Sequence, residues 1–540
     1  MERFFNTAGP LNPAKHYVLD PLQRWDLPKV LSLINQEKYF LLHAPRQTGK
    51  TTCLHALTAY LNKQGDVHCV CISTEGGQAA REDVGEGMHC LLMELATKAR
   101  VMLHDTFVEE HAQEYLRKYR PLKALQQMLV DWCENSSKPV VILMDEIDAL
   151  VGDTLIAVLR QLRSGYCDRR WLAFPQSIVL CGMRHLRDYR MQLGPKAQEV
   201  FTEGSPFNIN SESLRLGDFS QSDVQTLYAQ HTQETGQVFD KGVVERVFEL
   251  TQGQPWLVNA LAYDVCFRSK EGQDRSKSIT VSDIDTAKEQ LIQRRETHLD
   301  QLMAKLKQER VHRVIGSIVS GQDLEMSLQD VEYCTDLGLV CRREDGAVTI
   351  ANPIYREVIP RFIMGNWQQR LANITPRLAH VGQPLDMCEL LQAFQRFFRE
   401  HSDSWLDAFQ YKEAGPQLLL QAFLQRTVNS RGAIQREQAV GSRRTDLVVT
   451  WPLGDKDVTL QRAQSKQVVV LELKLIHRKD SLETPMSKGL EQTAGYMQRF
   501  HASQGHLLLF DRRAGKSWDE RIWMKQKQSR DGQEITVWGL

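Results

Sequence analysis

Between residues 39 and 265, short apolar runs alternate with stretches whose apolar residues recur every three or four positions. Tyr39–His43, Val67–Ile72, Val140–Met144 and Ile178–Cys181 contain no Asp, Glu, Lys or Arg, and read as strands buried on both faces. Amphipathic segments such as Thr51–Asn62 lie between them. That alternation predicts a parallel sheet covered by helices on both sides. Residues 106–136 are polar with helical spacing, an excursion between two strands, and from 216 to 298 the helical period is continuous. Residues 300–365 show two helices, then Leu337–Cys341 and Ala347–Ile350 flanking the turn Arg343-Glu-Asp-Gly346. Helices followed by a short hairpin predict a winged helix. Residues 366–410 are helical again and read as a connector. From 416 the order is helix, strand, strand, helix, strand, with turn signals at Gly432, Gly454 and Gly515.

Composition narrows the class. The chain has 540 residues, 42% hydrophobic and 25% charged, which is the make-up of a folded multidomain protein rather than a disordered or fibrous one. No apolar run approaches the ~20 residues that span a bilayer, and the start, MERFFNTAGP, has no signal-peptide core. Eleven cysteines, irregularly spaced from Cys53 to Cys388 and without a Cys-x-x-Cys, fit reduced thiols. These features predict a cytoplasmic protein with no membrane partner. The 67 basic and 67 acidic residues cancel overall, but not locally. Residues 411–540 hold 21 Lys and Arg against 14 Asp and Glu, a net +7, which leaves −7 on residues 1–410.

The first chemistry follows Tyr39–His43. Ala44-Pro-Arg46-Gln-Thr-Gly49-Lys50-Thr51-Thr52 runs straight into a helix. A loop of this kind wraps a β-phosphate with backbone N–H groups, bridges the β- and γ-phosphates with a lysine, and offers a hydroxyl to Mg²⁺. Gly49, Lys50 and Thr51 meet those needs, and Ala44, Arg46 and Thr52 complete the expected ATP-contacting loop. The usual first glycine is Ala44 here. Val140–Met144 then ends in Asp145-Glu146, which puts two carboxylates at the edge where a parallel sheet binds its ligand. Asp145 is expected to orient Mg²⁺ and Glu146 to polarise the attacking water. Ile178–Cys181 ends at Gly182-Met-Arg184, the position of a γ-phosphate sensor, so Arg184 joins the candidate nucleotide contacts.

Together with Arg184…Asp188-Tyr189, Ser205-Pro-Phe-Asn-Ile209 and Thr251-Gln-Gly253-Gln-Pro255-Trp256, this loop resembles bacterial and archaeal AAA-like ATPases close to the STAND group, and Asn352-Pro-Ile-Tyr-Arg356 is similar to their winged-helix tail. The resemblance covers roughly residues 1–365. It implies an additional-strand ATPase core, a helical lid in which Gly253-x-Pro255 couples nucleotide state to lid position, and a winged helix. Such ATPases often assemble, completing the site with a neighbour's arginine. A homo-oligomer is therefore one expectation, with Arg160, Arg163 and Arg170 as unranked candidates.

The second chemistry lies in the basic end. Gly441-Ser-Arg-Arg-Thr-Asp446 precedes one apolar run, and Val468-Val-Val-Leu-Glu472-Leu473-Lys474 closes another. If the two strands are neighbours, Asp446 and Glu472 make a hard oxygen site for Mg²⁺ (or Mn²⁺), and the Leu473 carbonyl is a candidate third ligand. Glu472 and Lys474, two apart on a strand, share a face, so Lys474 can reach a metal-bound water or a scissile phosphate. With Gln492 and Tyr496 four apart on a helix, the pattern over about 411–515 resembles PD-(D/E)XK nucleases. The resemblance implies catalytic roles for Asp446, Glu472 and Lys474, supporting roles for Gln492 and Tyr496, and a loose match of Glu413 to the upstream acid.

The expected fold is thus α/β multidomain: a P-loop ATPase parallel sheet (1–215), a helical lid (216–299), a winged helix (300–365), a helical connector (366–410) and a restriction-endonuclease-like α/β domain (411–540). The expected function is an ATP-regulated, Mg²⁺-dependent DNA endonuclease, with defence against phage or mobile DNA as the role the resemblance implies. The alternative is an ATP-driven regulatory or signalling switch whose nuclease-like domain binds without cleaving. A DNA-translocating motor ranks lower, because no helicase motifs accompany the two nucleotide-binding ones.

Overall fold

The four apolar runs form the body of a five-stranded parallel sheet: β1 (Tyr39–His43), β2 (His68–Ser73), β3 (Val140–Asp145), β4 (Ser177–Gly182) and β5 (Asn210–Arg215), in the order β2-β3-β4-β1-β5. This is a computed structural model, and it describes residues 2–183, 210–294, 296–320, 326–363, 384–408, 420–421, 423–424, 433–440, 443–453, 466–476, 481–511, 513 and 516–540, at some positions, 446 among them, by the backbone alone. β1, β3 and β4 are buried at every position, as unbroken apolar sequence in a two-sided sheet requires. β5 was not anticipated. Its sequence, Asn-Ser-Glu-Ser-Leu-Arg, is polar because it occupies the sheet edge beside β1.

Each face of the sheet has its own core. Helices Val84–Leu103, Pro121–Asn135 and Gly152–Cys167 cover one, bringing Leu92, Trp132 and Leu159 against Val70, Ile142 and Leu180. Helices Leu27–Asn35 and Lys50–Gln64 cover the other, where Ile34, Leu57 and Leu61 meet Leu42, Leu143 and Val179. The opposite parity of the residues from each strand follows from the two-residue alternation of side chains.

Beyond the sheet come the helices Gln221–Thr235, Val243–Thr251, Pro255–Tyr263, Val281–Arg294 and Thr297–Ala304. The extended N-terminal segment is tied to them: Phe5 is buried against Tyr17, Tyr228 and His231, and the Trp256 indole donates to Thr7 O at 2.9 Å. Next follow the helix Leu328–Asp336, the antiparallel pair β6 (Val340–Arg342) and β7 (Val348–Ile350), and the helix Pro353–Ile363.

The chain divides into two compact units, 1–311 with 326–355, and 312–325 with 356–540. The second is built on a mixed six-stranded sheet of β8 (Ala433–Val440), β9 (Arg443–Pro452), β10 (Lys466–Ile476), β11 (Gln504–Asp511), β12 (Trp523–Gln528) and β13 (Glu534–Gly539), ordered β12-β13-β11-β10-β9-β8. β10, β11 and β13 run parallel, and the flanking pairs are antiparallel. Helix Glu483–Phe500 connects β10 to β11 and covers one face through Ala494, Tyr496 and Met497.

The other face corrects the connector expected over 366–410. Helix Met387–Ala408 places Leu390, Leu391, Phe394 and Phe397 in one core with Leu447, Val469, Leu471 and Phe510. Its apolar stripe is the cover of the sheet, so the helix is part of the C-terminal domain. The hairpin β12–β13 was also unforeseen, because the pattern Trp523-Met-Lys-Gln-Lys-Gln528 belongs to a strand exposed almost throughout.

Candidate functional site

The loop after β1 is shaped by backbone geometry that its sequence permits. Gln47 and Gly49 take φ of +56° and +92°, in the left-handed region that a glycine enters at little cost. Ala44 is fully buried and donates its N–H to Gly182 O at 3.2 Å, tying the loop to the end of β4. The Thr48 hydroxyl closes the turn on Pro45 O at 2.9 Å. Lys50 opens the helix Lys50–Gln64, and its ammonium lies on Ala44 O and Pro45 O at 2.9 and 2.8 Å. The Thr52 hydroxyl accepts the Leu11 N–H at 3.3 Å. Arg46 points away to Gln301 Oε1 at 2.7 Å, with its Nε 3.3 Å from Met183 Sδ.

The acids meet this loop. Asp145 is buried at the end of β3 and accepts the Thr51 hydroxyl at 2.5 Å. A hydroxyl and a carboxylate held together form a hard-oxygen pair, the donor set that suits Mg²⁺ when phosphate oxygens and waters complete its shell. Glu146 sits at φ +58°, an unusual conformation for a residue with a side chain. Two hydrogen bonds hold it there: its N–H donates to Asp145 Oδ1 at 2.9 Å, and its carbonyl accepts the Thr74 hydroxyl at 2.7 Å. Burial raises the Glu146 carboxyl above its ordinary value, and the neighbouring Glu75, Asp145 and Asp148 carboxylates add to the shift. Thr74 and Glu75 were not found by motif, although their place just after β2, the strand beside β3, is where such support would lie.

An arginine outside every motif braces the loop. Arg24 donates to Thr48 O and to Gly217 O, each at 2.5 Å, and stacks 4.6 Å from the Phe219 ring. Phe219 N–H in turn bonds Gly253 O at 2.8 Å. Gly253 has φ +76°, and a Cβ there would lie 1.8 Å from Phe219 O, so no other residue fits this turn without displacing backbone. Arg184 lies outside the described residues. Of the three finger candidates, Arg160 and Arg170 are exposed and Arg163 is half-buried.

In the second unit, Glu472 and Lys474 stand on β10 on the face that carries Val470, the side covered by helix Glu483–Phe500. Glu472 is 2% exposed and accepts the Lys474 ammonium at 2.6 Å. A carboxylate this buried needs such a counter-charge. The antiparallel register pairs Leu471 with Leu447, so the next step brings position 446 opposite Glu472. Leu473 packs toward the other face. Tyr496 is buried in the core under the helix, and Gln492, one turn earlier, keeps a buried Oε1 that accepts no hydrogen bond among the described residues. Glu413 lies outside the described residues. Among the described residues no three His, Cys, Asp or Glu side chains group as a metal-binding set, so any metal here depends on Asp446 and backbone or ligand oxygens beside Glu472.

Trp518 and Trp523, expected from sequence in a basic aromatic cluster, are partly buried against the two cores of this sheet, while Lys525 and Lys527 lie exposed on the edge strand β12.

A parallel sheet of this order, with a Gly-Lys-Thr loop after β1 and an Asp-Glu pair after β3, defines a P-loop ATPase fold. Residues 29–360 match the family described as AAA-like domain, and the chain belongs to that family. Among solved structures it is similar to a Walker-type ATPase of Pyrococcus abyssi at 14% identity and a TM-score of 0.42, over 66% of this chain and 99% of that one. Cdc6p of Pyrobaculum aerophilum is similar at 14% identity and a TM-score of 0.32, over 64% and 93%. The Aeropyrum pernix ORC1 protein in complex with DNA is similar at 14% identity and a TM-score of 0.31, over 68% and 96%. No curated protein matches the chain. Among the described residues no helix is long and apolar enough to cross a membrane.

Proposed function

We propose that the chain is an ATP-regulated, Mg²⁺-dependent DNA endonuclease in which the AAA-like domain controls cleavage by the C-terminal α/β domain. The observation that carries this reading is the buried Glu472–Lys474 pair on β10, with position 446 opposite it in the register. Charged groups at the end of an apolar strand are costly unless they serve a purpose there. In this reading Asp446, Glu472 and the Leu473 carbonyl hold the metal, which supplies an activated water and neutralises phosphate charge. Lys474 stabilises the charge that builds on the scissile phosphate, and Gln492 and Tyr496 position this face. In the first unit, Lys50 binds the β- and γ-phosphates, Thr51 and Asp145 serve Mg²⁺, and Glu146 takes the proton from the attacking water. The helices of 216–299 act as the lid, and the hairpin-bearing segment within 300–365 as a winged helix. Defence against phage or mobile DNA is the biological role proposed.

The test is cleavage of DNA and RNA panels with Mg²⁺ or Mn²⁺, with ATP, without nucleotide and with a non-hydrolysable analogue. Wild-type protein should cut DNA, with a rate that depends on nucleotide. Lys474→Ala should abolish cleavage, and Lys50→Ala should remove the nucleotide dependence. Cleavage by Lys474→Ala at the wild-type rate refutes the nuclease assignment.

A second reading, a nucleotide switch whose C-terminal domain binds DNA without cutting it, is favoured by one feature: the Glu472 carboxylate is engaged by Lys474 at 2.6 Å rather than presented free. Nucleotide-dependent DNA binding with no metal-dependent cleavage would establish it.

A further inference from the structure

The first unit holds a cavity of about 250 Å³ beside the phosphate-binding loop. Pro45 and Arg46 form one wall, Gln254 at the glycine turn another, Lys305 just past the helix Thr297–Ala304 a third, and Gly338 and Tyr355 around the β6–β7 hairpin a fourth. None of Gly49, Lys50, Thr51 and Asp145 lines it, so it adjoins the nucleotide loop without being made of its phosphate ligands. Its size lies just below the ~300–1,000 Å³ of drug-sized ligand pockets, which points to a small occupant.

The lining is rich in donors and positive charge. Arg46, Arg215 and Lys305 face one carboxylate, Asp218. Burial raises the Asp218 carboxyl above its ordinary value despite the opposing pull of Arg215 and Arg24, which weakens its negative charge. The two guanidiniums are held by neutral acceptors: Arg46 by Gln301 Oε1 at 2.7 Å, and Arg215 by Thr335 O at 3.2 Å. His298, also in the lining, is stacked on Trp256 and bonded to the Tyr355 hydroxyl at 2.8 Å. Burial pushes its imidazole down to about 4, so it is neutral at pH 7.

Gln254 supplies the independent sign of a ligand. It is 7% exposed, and its Oε1 caps the helix Pro255–Tyr263 by accepting Leu257 N–H at 2.7 Å. Its Nε2 is buried and has no hydrogen-bond partner among the described residues. Proteins seldom leave a buried donor unmatched, and cations lining an enclosed space favour an anion that supplies acceptors.

We propose that this cavity binds a small phosphate-bearing anion, separately from the nucleotide held by Lys50. The anion joins Arg46 on the loop to the glycine turn, Lys305 and Arg215, and so clasps the lid helices and the hairpin segment to the ATP site. This effector site is independent of the nuclease reading.

The experiment is calorimetric titration of the full chain carrying Lys50→Ala, with inorganic pyrophosphate and, separately, AMP. Saturable binding should persist in this protein. Gln254→Glu on that background keeps the capping oxygen but turns the orphan donor into an acceptor, and should weaken binding about tenfold or more. Lys305→Met should weaken it as well. With Lys50 intact, neither variant should lose ATP binding, which shows that the fold survives. Pyrophosphate alone binding marks a free phosphate ligand, and tighter AMP binding marks a nucleotide. The proposal is overturned if the Lys50→Ala protein binds neither anion, or if its binding is unchanged by both Gln254→Glu and Lys305→Met.

Discussion

Glu146 combines a left-handed backbone, a Thr74 hydroxyl on its carbonyl and a carboxyl whose proton affinity is raised by burial and by Glu75, Asp145 and Asp148. A general base works only when deprotonated, so ATP turnover should fall as pH drops through this raised value, above the usual carboxylate range. Glu75→Gln removes one like charge and should shift that acidic limb to lower pH in a pH–rate profile. An unmoved limb would take Glu75 out of the account. Glu146→Gln should retain ATP binding and lose hydrolysis. His506 gives a second pH effect, this one on stability. It is buried, accepts the Trp538 indole N–H at 3.2 Å, and burial pushes it down to about 4. The unfolded histidine takes up a proton near 6.5 and the folded one only near 4, so stability is full above 6.5 and declines across that window as pH falls. The loss approaches ~3 kcal/mol at the acid end. His506→Asn, which retains an acceptor, should flatten the acid slope of the denaturation midpoint.

At the scale of elements, Gly253 and helix Met387–Ala408 make opposite cases. Gly253 stood in a motif, and the structure supplies the physical reason: a Cβ would overlap Phe219 O. Gly253→Ala should therefore cost about 2 kcal/mol or more and loosen the Arg24–Phe219–Gly253 contact, read as a lower midpoint and weaker ATP binding. The helix carried a clear apolar period, yet period alone does not say which sheet receives the stripe. Phe394→Ala should destabilise the C-terminal sheet by about 3–5 kcal/mol if the helix is its cover, measured by hydrogen exchange in β10 and β11. The central strands β1, β3 and β4 were legible because burial on both faces forces an apolar run, and the loop and acids were legible because they follow those strands. β5 and β12 were not, since an edge strand has polar faces and borrows its pairing from a neighbour. Arg24, Thr74 and Gln254 were invisible for a related reason: each acts through partners distant in sequence that only the fold brings near.

Across the whole molecule, the neutral chain splits into −7 over residues 1–410 and +7 over 411–540. That division separates two phosphate chemistries that respond differently to salt. ATP is held by a loop of backbone amides, one lysine and a metal, whereas a nucleic acid on the basic half displaces counterions. With three phosphate contacts, raising salt from about 50 to 200 mM should weaken DNA binding roughly 40-fold. ATP affinity should change far less. The proposed coupling is then separable by mutation. Lys474→Ala should reduce cleavage by on the order of 10²-fold or more while ATP hydrolysis and the salt dependence of DNA binding stay in place. Lys50→Ala should leave DNA binding intact and make cleavage insensitive to ATP. If Lys474→Ala abolishes ATP turnover, or Lys50→Ala leaves a nucleotide-dependent cut, the two sites are not arranged as controller and cutter, and the charge division records only different surfaces on one chain.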